Sequence, residues 1–282
     1  AHIIEAQSGS RLLDVLQGLA MGARPIDAEV EFTKKPRNIL TLSEEAQPFG
    51  PSAPLKSFKA SPANVDQRIE KAYYDRDLKA VDAVWELYRR NVIVTRIQRA
   101  FSLGMFGVGL KRKLVPTRWS ITAVDSTLSL RLIDMVKMYD TIDEYRVYKF
   151  SNLDNIFVAI LMPEHWRFEW IEAWFPGTAW NPEEEASEPA LMGDYEGYWG
   201  RTSYASIGGC YYSARLAVAE KLSQERRQAS TLVLREIHPG YILPVGVWNV
   251  RESVRATLKG EPQKFDSLQA AINFAITGLT IP

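Results

Sequence analysis

Seven consecutive residues, Ile156-Phe157-Val158-Ala159-Ile160-Leu161-Met162, are apolar at every position. A strand with one face in water alternates apolar and polar side chains, so a strand apolar throughout must be covered on both faces. The run therefore predicts the central strand of a sheet with structure on either side. Tyr145 to Phe150 and Trp166 to Trp174 flank it, rich in aromatic and branched residues and joined to it by short polar turns. That spacing predicts an antiparallel meander.

Helical periodicity surrounds this core. Leu12, Val15, Leu16 and Leu19 predict a helix stopped at Gly22, and Ala28 to Phe32 a short strand. Thr41 to Ala63, with Pro48, Pro51, Pro54 and Pro62, reads as a long loop or a boundary. Leu78, Val81, Trp85, Tyr88 and Val92 predict the buried face of an amphipathic helix. A second helix spans Ile93 to Phe101, with Arg96 and Arg99 on its polar side, until Gly104, Gly107 and Gly109 break the pattern. Past Pro116 the chain reads as strand-like up to Asp125, and Leu128, Leu132, Met135 and Tyr139 predict a helix from there. Asn181 to Pro189 reads as an acidic loop, Gly209 to Arg226 as a helix, Thr231 to Leu234 and Ile242 to Val250 as strands, and Leu268 to Ala275 as a closing helix. Strands and helices mix without strict βαβ alternation. The expected class is α+β (mixed α/β), with a central, mostly antiparallel sheet flanked by helices. The expected division is an N-terminal helical and strand segment with its linker, residues 1–60, and a main domain, residues 61–282.

Lysine and arginine number 34, aspartate and glutamate 34, so the formal charge is zero. Nucleic-acid binders usually carry a basic excess, so any DNA contact here must come from a local patch. The one cysteine, Cys210, leaves no disulfide within the chain, which suits a reducing compartment. No apolar run approaches the roughly 18–20 residues that span a bilayer, and no secretory signal pattern opens the chain. A cytoplasmic protein with no membrane partner is expected. The chain begins on Ala1 rather than Met, which leads us to expect a piece of a longer protein.

Arg96, Arg99, Lys111, Arg112, Lys113 and Arg118 crowd one segment. Phosphates attract such clusters, and arginine grips two oxygens at once. Arg112, Lys113 and Arg118 are candidate DNA ligands, with Trp119 either stacking on a base or joining the core. Asp125 reads as a helix N-cap or as a metal ligand or general base at a strand end. Gly208-Gly209 opens a helix and can bring backbone amides to a phosphate, with Arg215 further along. His238, two residues past Glu236 and followed by Pro239-Gly240, is the histidine best set for proton transfer. Asp125, Glu172, Asp194 and Glu196 are the oxygen ligands a magnesium or manganese ion would prefer. Ser120, Ser126 and Ser206 lack the G-x-S-x-G elbow of a serine hydrolase.

Four stretches taken in order, Arg112 to Asp125, Glu169 to Thr178, Tyr204 to Tyr212 and Arg235 to Trp248, resemble the archaeal Nre DNA repair family over nearly the whole chain. The resemblance implies a role in DNA damage repair, and a subdomain junction near the proline-rich stretch. It also implies a cysteine-rich zinc motif at the N-terminus of full-length members and a C-terminal motif that docks on the sliding clamp (PCNA). Cys210 alone cannot make a four-ligand zinc site, and Ile276 to Pro282 lacks a glutamine-led motif ending in paired aromatics. Zinc and the clamp are therefore expected of a longer chain only. Two mechanisms stay open. One is a metal-dependent phosphodiesterase or nuclease, in which Arg118 and Arg215 clamp phosphate, Asp125 or Glu236 holds a cation and His238 moves a proton. The other is a non-catalytic DNA-binding adaptor of the clamp. A nucleotide-type small molecule is a third candidate ligand.

Overall fold

A computed structural model describes residues 11–24, 26–36, 41–43, 46–49, 53–61, 64–242 and 246–280. The chain packs as two units, Ala1–Leu128 and Ser129–Pro282.

In the first unit α1 (Arg11–Ala20) buries Leu13, Gln17 and Ala20. Strand β1 (Ala28–Phe32) does not end in a loop region as expected. β2 (Thr41–Ser43) pairs with β3 (Ala46–Phe49), and β4 (Leu55–Ala60) pairs antiparallel with β1. In a two-stranded ribbon both strands are edges, and an edge tolerates a proline such as Pro48 that a central strand would not. Pro51 and Pro62 lie outside the described residues. Helix α2 (Gln67–Tyr74) starts on Asp66, whose side chain accepts the Arg68 amide at 3.0 Å.

Helix α3 (Ala80–Arg89) buries Ala83, Val84 and Leu87, while Val81 is exposed. The buried face is thus rotated from the one predicted. Trp85 and Tyr88 were read as core, but they stack on each other, ring centroids 5.9 Å apart, at the half-buried rim. Helix α4 (Val94–Ser102) buries Val94, Ile97, Gln98 and Ala100. Gly104, Gly107 and Gly109 follow, all at positive φ, around a short 3-10 turn at Gly109–Lys111.

The segment expected to be strand-like is the start of a long helix, α5 (Thr117–Val136). The Trp119 and Ser120 amides bond back to the Pro116 carbonyl at 2.9 and 3.0 Å, so the proline leads the helix in rather than breaking a strand. Ile121, Val124 and Leu128 are buried at helical spacing. Asp125 consequently lies in the body of a helix, at neither an N-cap nor a strand end.

The second unit holds β5 (Tyr145–Asn152), β6 (Asn155–Met162), β7 (Arg167–Trp174), β8 (Ala190–Glu196), α6 (Gly209–Glu225), β9 (Ser230–Ile237), α7 (Val247–Lys259), β10 (Gln263–Phe265) and α8 (Leu268–Ile276). Its six-stranded sheet has the order β10-β5-β6-β9-β7-β8. As expected, β6 lies inside the sheet with Phe157 to Leu161 all buried. Val147, Val158 and Ile160 pack on Ala271 and Ala275 of α8 on one face. On the other, Phe168 meets Tyr211 of α6 edge to face at 5.1 Å.

The predicted meander does not form. Strand β9 lies between β6 and β7, antiparallel to the first and parallel to the second. The sheet is therefore mixed, with its other pairings antiparallel. Parallel neighbours need a long crossover rather than a hairpin, and the chain from β7 through β8 and α6 supplies it. The strand predicted over Ile242 to Val250 is instead the entry to α7, with Gly246 at φ +70° before it and Val250, Val254 and Leu258 buried along it. Branched residues there suggested a strand. Residues 243–245 lie outside the described residues.

The β5–β6 hairpin turns through Leu153 and Asp154, both left-handed at φ +51° and +56°. Two positive-φ residues make the turn that matches strand twist, but leucine is a poor occupant of that region. The turn is braced by the Gly240 amide, which donates to Asp154 Oδ2 at 2.7 Å. A Cβ on Gly240 would sit 2.5 Å from that oxygen, so glycine is required there. Leu153→Asn is expected to stabilise the protein by up to about 1 kcal/mol, read as a higher urea midpoint at unchanged slope.

Candidate functional site

The basic segment divides into internal and external cations. Arg96 bonds Asp66 and the Gly22 carbonyl, both at 2.8 Å. Arg112 is buried and donates to three carbonyls, Gly107, Tyr73 and Asp75, at 2.7, 2.6 and 2.7 Å. Burial pushes its guanidinium value down. Both arginines therefore tie the first unit together. Arg99, Lys111 and Lys113 are exposed, and Arg118 is half-buried in the first turn of α5. None of these four has an acidic partner among the described residues. Beside them Trp119 is 62% exposed and Leu110 81%. Reciprocal bonds between Ser102 and Val115, at 2.9 and 2.6 Å, fasten the segment to the end of α4, the helix that carries Arg99. Asp125 is fully buried and accepts Gln98 Nε2 at 2.7 Å.

In the second unit each predicted metal-ligand carboxylate meets an arginine. Arg235 Nη1 donates to Glu172 Oε1 at 2.8 Å and its Nε to Asn155 Oδ1 at 2.8 Å, so one guanidinium spans β6, β7 and β9. Glu172 also accepts Trp174 Nε1 at 3.0 Å. The Arg235 guanidinium lies 5.2–5.6 Å from the rings of Phe157, Trp174 and Tyr241, and its Nη2 is buried without an acceptor. Glu196 takes Arg215 Nη1 at 2.6 Å and Trp166 Nε1 at 3.1 Å, and Arg215 reaches Ser129 Oγ at 3.1 Å. Asp194 takes Arg201 Nη2 at 2.8 Å and the Ser206 amide at 2.6 Å. The Arg201 bond above all, with the Ser206 amide helping, holds the Asp194 carboxyl far below its usual range.

Among the described residues no three His, Cys, Asp or Glu side chains group as a metal site. Carboxylates neutralised one by one by arginines do not form the converging oxygen cage that a hard cation needs.

Gly208, at φ +84°, caps α6 without a side-chain hydrogen bond, and a Cβ there would meet nothing within 4 Å. Cys210 follows in the first turn. Burial pushes its thiol well up, the Glu172 charge adds to the rise and the Arg235 charge opposes it. The first turn of α6 thus faces the Glu172–Arg235 pair. Sequence reasoning named Glu172, Gly208 and Gly209 but missed Arg235. The available signal was its place in Val233-Leu234-Arg235-Glu236-Ile237, a cation sharing one strand face with apolar Val233 and Ile237.

Glu236 and His238 do come together. Both Glu236 oxygens lie 2.9 Å from the Thr280 amide, and His238 Nε2 is 3.3 Å from Glu236 Oε2. The imidazole stacks on Phe175, centroids 4.2 Å apart. With Thr280 and the turn from Ser151 to Ile156 it lines an open recess of about 460 Å³.

These features define a two-unit α+β protein with an exposed basic and aromatic segment in one unit and arginine-clamped carboxylates in the other. The chain belongs to the archaeal Nre family: the family's N-terminal region matches residues 2–181 and its C-terminal region residues 196–282. Because β9 of the second region inserts between β6 and β7 of the first, the two regions share one sheet. The chain is 48% identical over 94% of its length to DNA repair protein NreB of Archaeoglobus fulgidus, covering 67% of that protein. It is 38% identical over 97% of its length to DNA repair protein NreA of the same organism, covering 69% of it. It is also 40% identical over 91% of its length to DNA repair protein NreA of Haloferax volcanii, of which it covers 62%. No solved structure matches it. Among the described residues no helix is long and apolar enough to cross a membrane.

The Asp194 interactions have a pH signature. A carboxyl whose value is lowered on folding contributes stability above its unfolded value, here 3.8, and loses it as pH falls towards the folded value. Asp194→Asn is therefore expected to lower the melting temperature at pH 7, with the gap to wild type closing below pH 3.8. Melting curves across that range check it.

Proposed function

We propose that this chain serves in DNA repair by holding single-stranded or unpaired DNA on the basic segment of its first unit. The observation that carries the reading is Trp119, exposed in the first turn of a helix among four cations that have no acidic partner. An exposed indole offers a base a stacking face, and the cations draw the backbone in. Stacking requires a base free of its duplex neighbours, so the segment suits unpaired strands. The names of the relatives, all DNA repair proteins, support the same reading. A chain of zero net charge gains little from long-range attraction. Recruitment by the sliding clamp, through a segment of a longer protein, would supply the local concentration this surface lacks.

Single-stranded, duplex and flapped DNA are the substrates to compare. Trp119→Ala is expected to weaken single-strand binding by about 1–3 kcal/mol. Lys113→Ala with Arg118→Ala is expected to reduce the salt slope by roughly 1.4, two contacts on a single strand. Unchanged affinity and slope in both variants would remove the segment from the interface.

A second reading, phosphodiester hydrolysis, is favoured by the Glu236–His238 pair on the wall of the recess. A buried carboxylate beside a partly exposed imidazole orients it and favours its protonated form. If this pair moves protons, any cleavage product seen with magnesium or manganese, and absent with EDTA, disappears in His238→Ala. Product formed equally by His238→Ala and wild type would exclude the pair from the chemistry.

A further inference from the structure

The second unit carries a buried donor that the basic segment does not explain. Arg235 is 4% exposed, and its Nη2 has no acceptor. Its other donors are fixed, Nε on Asn155 and Nη1 on Glu172. A buried guanidinium N–H without an acceptor is costly, and native proteins answer such groups with water or a ligand. Its surroundings favour an anion. Strands β7 and β9 are parallel, with Glu172 directly opposite Arg235 near their carboxyl ends, and ligands of open sheets bind beyond that edge. The first turn of α6, uncapped by any side chain, faces the same pair. Free amides at a helix start attract an oxyanion, and at Gly208 there is open space where a side chain would stand.

We propose that Arg235 Nη2 and the Gly208-Gly209 start of α6 together hold a terminal phosphate, a phosphate monoester. The enclosure selects the form. Phe157, Trp174 and Tyr241 crowd the guanidinium, so a diester flanked by chain on both sides cannot reach Nη2, whereas an end phosphate can. The source is either the 5′ end of a DNA strand or a free nucleotide. The site stands on different residues from the basic segment and does not depend on it.

The test measures melting temperature and affinity of the full chain. The ligands are inorganic phosphate, dAMP, deoxyadenosine, and one oligonucleotide with and without a 5′-phosphate. A saturable rise in melting temperature is expected with dAMP and none with deoxyadenosine. Arg235→Lys keeps the charge but loses the fork, and is expected to weaken phosphate-dependent binding about tenfold or more. A DNA end as source shows as a preference for the 5′-phosphorylated oligonucleotide over the 5′-hydroxyl one. A free nucleotide shows as dAMP binding without that preference. Both sets run also in the Lys113→Ala, Arg118→Ala protein, where the phosphate effects are expected to persist. Their persistence there supports the site even if Arg235→Lys does not fold, and their loss there assigns them to the basic segment and overturns it. No response to any phosphate species, or an equal response in folded Arg235→Lys, overturns it as well.

Discussion

A charge inside a sheet has to be neutralised where it stands, and this constraint organises the second unit. Glu172 and Glu196 are both almost wholly buried, and each meets an arginine that is buried as well. Removing one partner of such a pair leaves the other charge stranded, at roughly 3–5 kcal/mol. The pairs also specify geometry. Arg235 holds β6 and β7 on either side of its own strand through Asn155 and Glu172. Arg215 fixes α6 over β8 through Glu196, with the rings of Tyr211 and Tyr212 packed on its guanidinium. A register slip by one residue would turn these side chains to the wrong face. Part of the chain's even balance of acid and base therefore lies in internal clamps, and it says little about the outer surface.

Local periodicity made much of the fold legible. The all-apolar run became an interior strand, and the helices at Gly209 and Leu268 stand where spacing put them. What sequence could not show was which strands are neighbours. The order β6-β9-β7 joins segments some seventy residues apart, and no short-range pattern carries that pairing. The misread helices share another cause. Around Val115 to Val124 and Val245 to Val250, branched residues suggested strands, yet burial of one face at helical spacing prevailed over intrinsic preference.

The candidate site was legible in the same uneven way. Spacing found the cluster from Arg96 to Arg118 but could not separate Arg112, enclosed by three carbonyls, from Arg118, which has no acidic partner. That distinction depends on Gly107, Tyr73 and Asp75 reaching one guanidinium, a three-dimensional fact. Trp119 was ambiguous between core and surface because the phase of α5 was hidden while the segment read as a strand. Arg235 was overlooked because a lone arginine in an apolar strand looks like an interruption until its neighbours on β6 and β7 are known.

The two proposed contacts differ in what they can recognise. An indole among cations accepts any unstacked base and is indifferent to sequence and to ends. An enclosed guanidinium at a helix start accepts an anion of one shape and ignores the base. Neither reads the donor and acceptor pattern in a groove by which sequence-specific proteins choose a site. Under this reading the protein selects DNA by its physical state, unpaired or terminated, rather than by its sequence. Damage alters that state wherever it falls in a genome, so these are the properties that lesion-directed binding requires. They need no large basic surface, which is consistent with a chain whose charges balance.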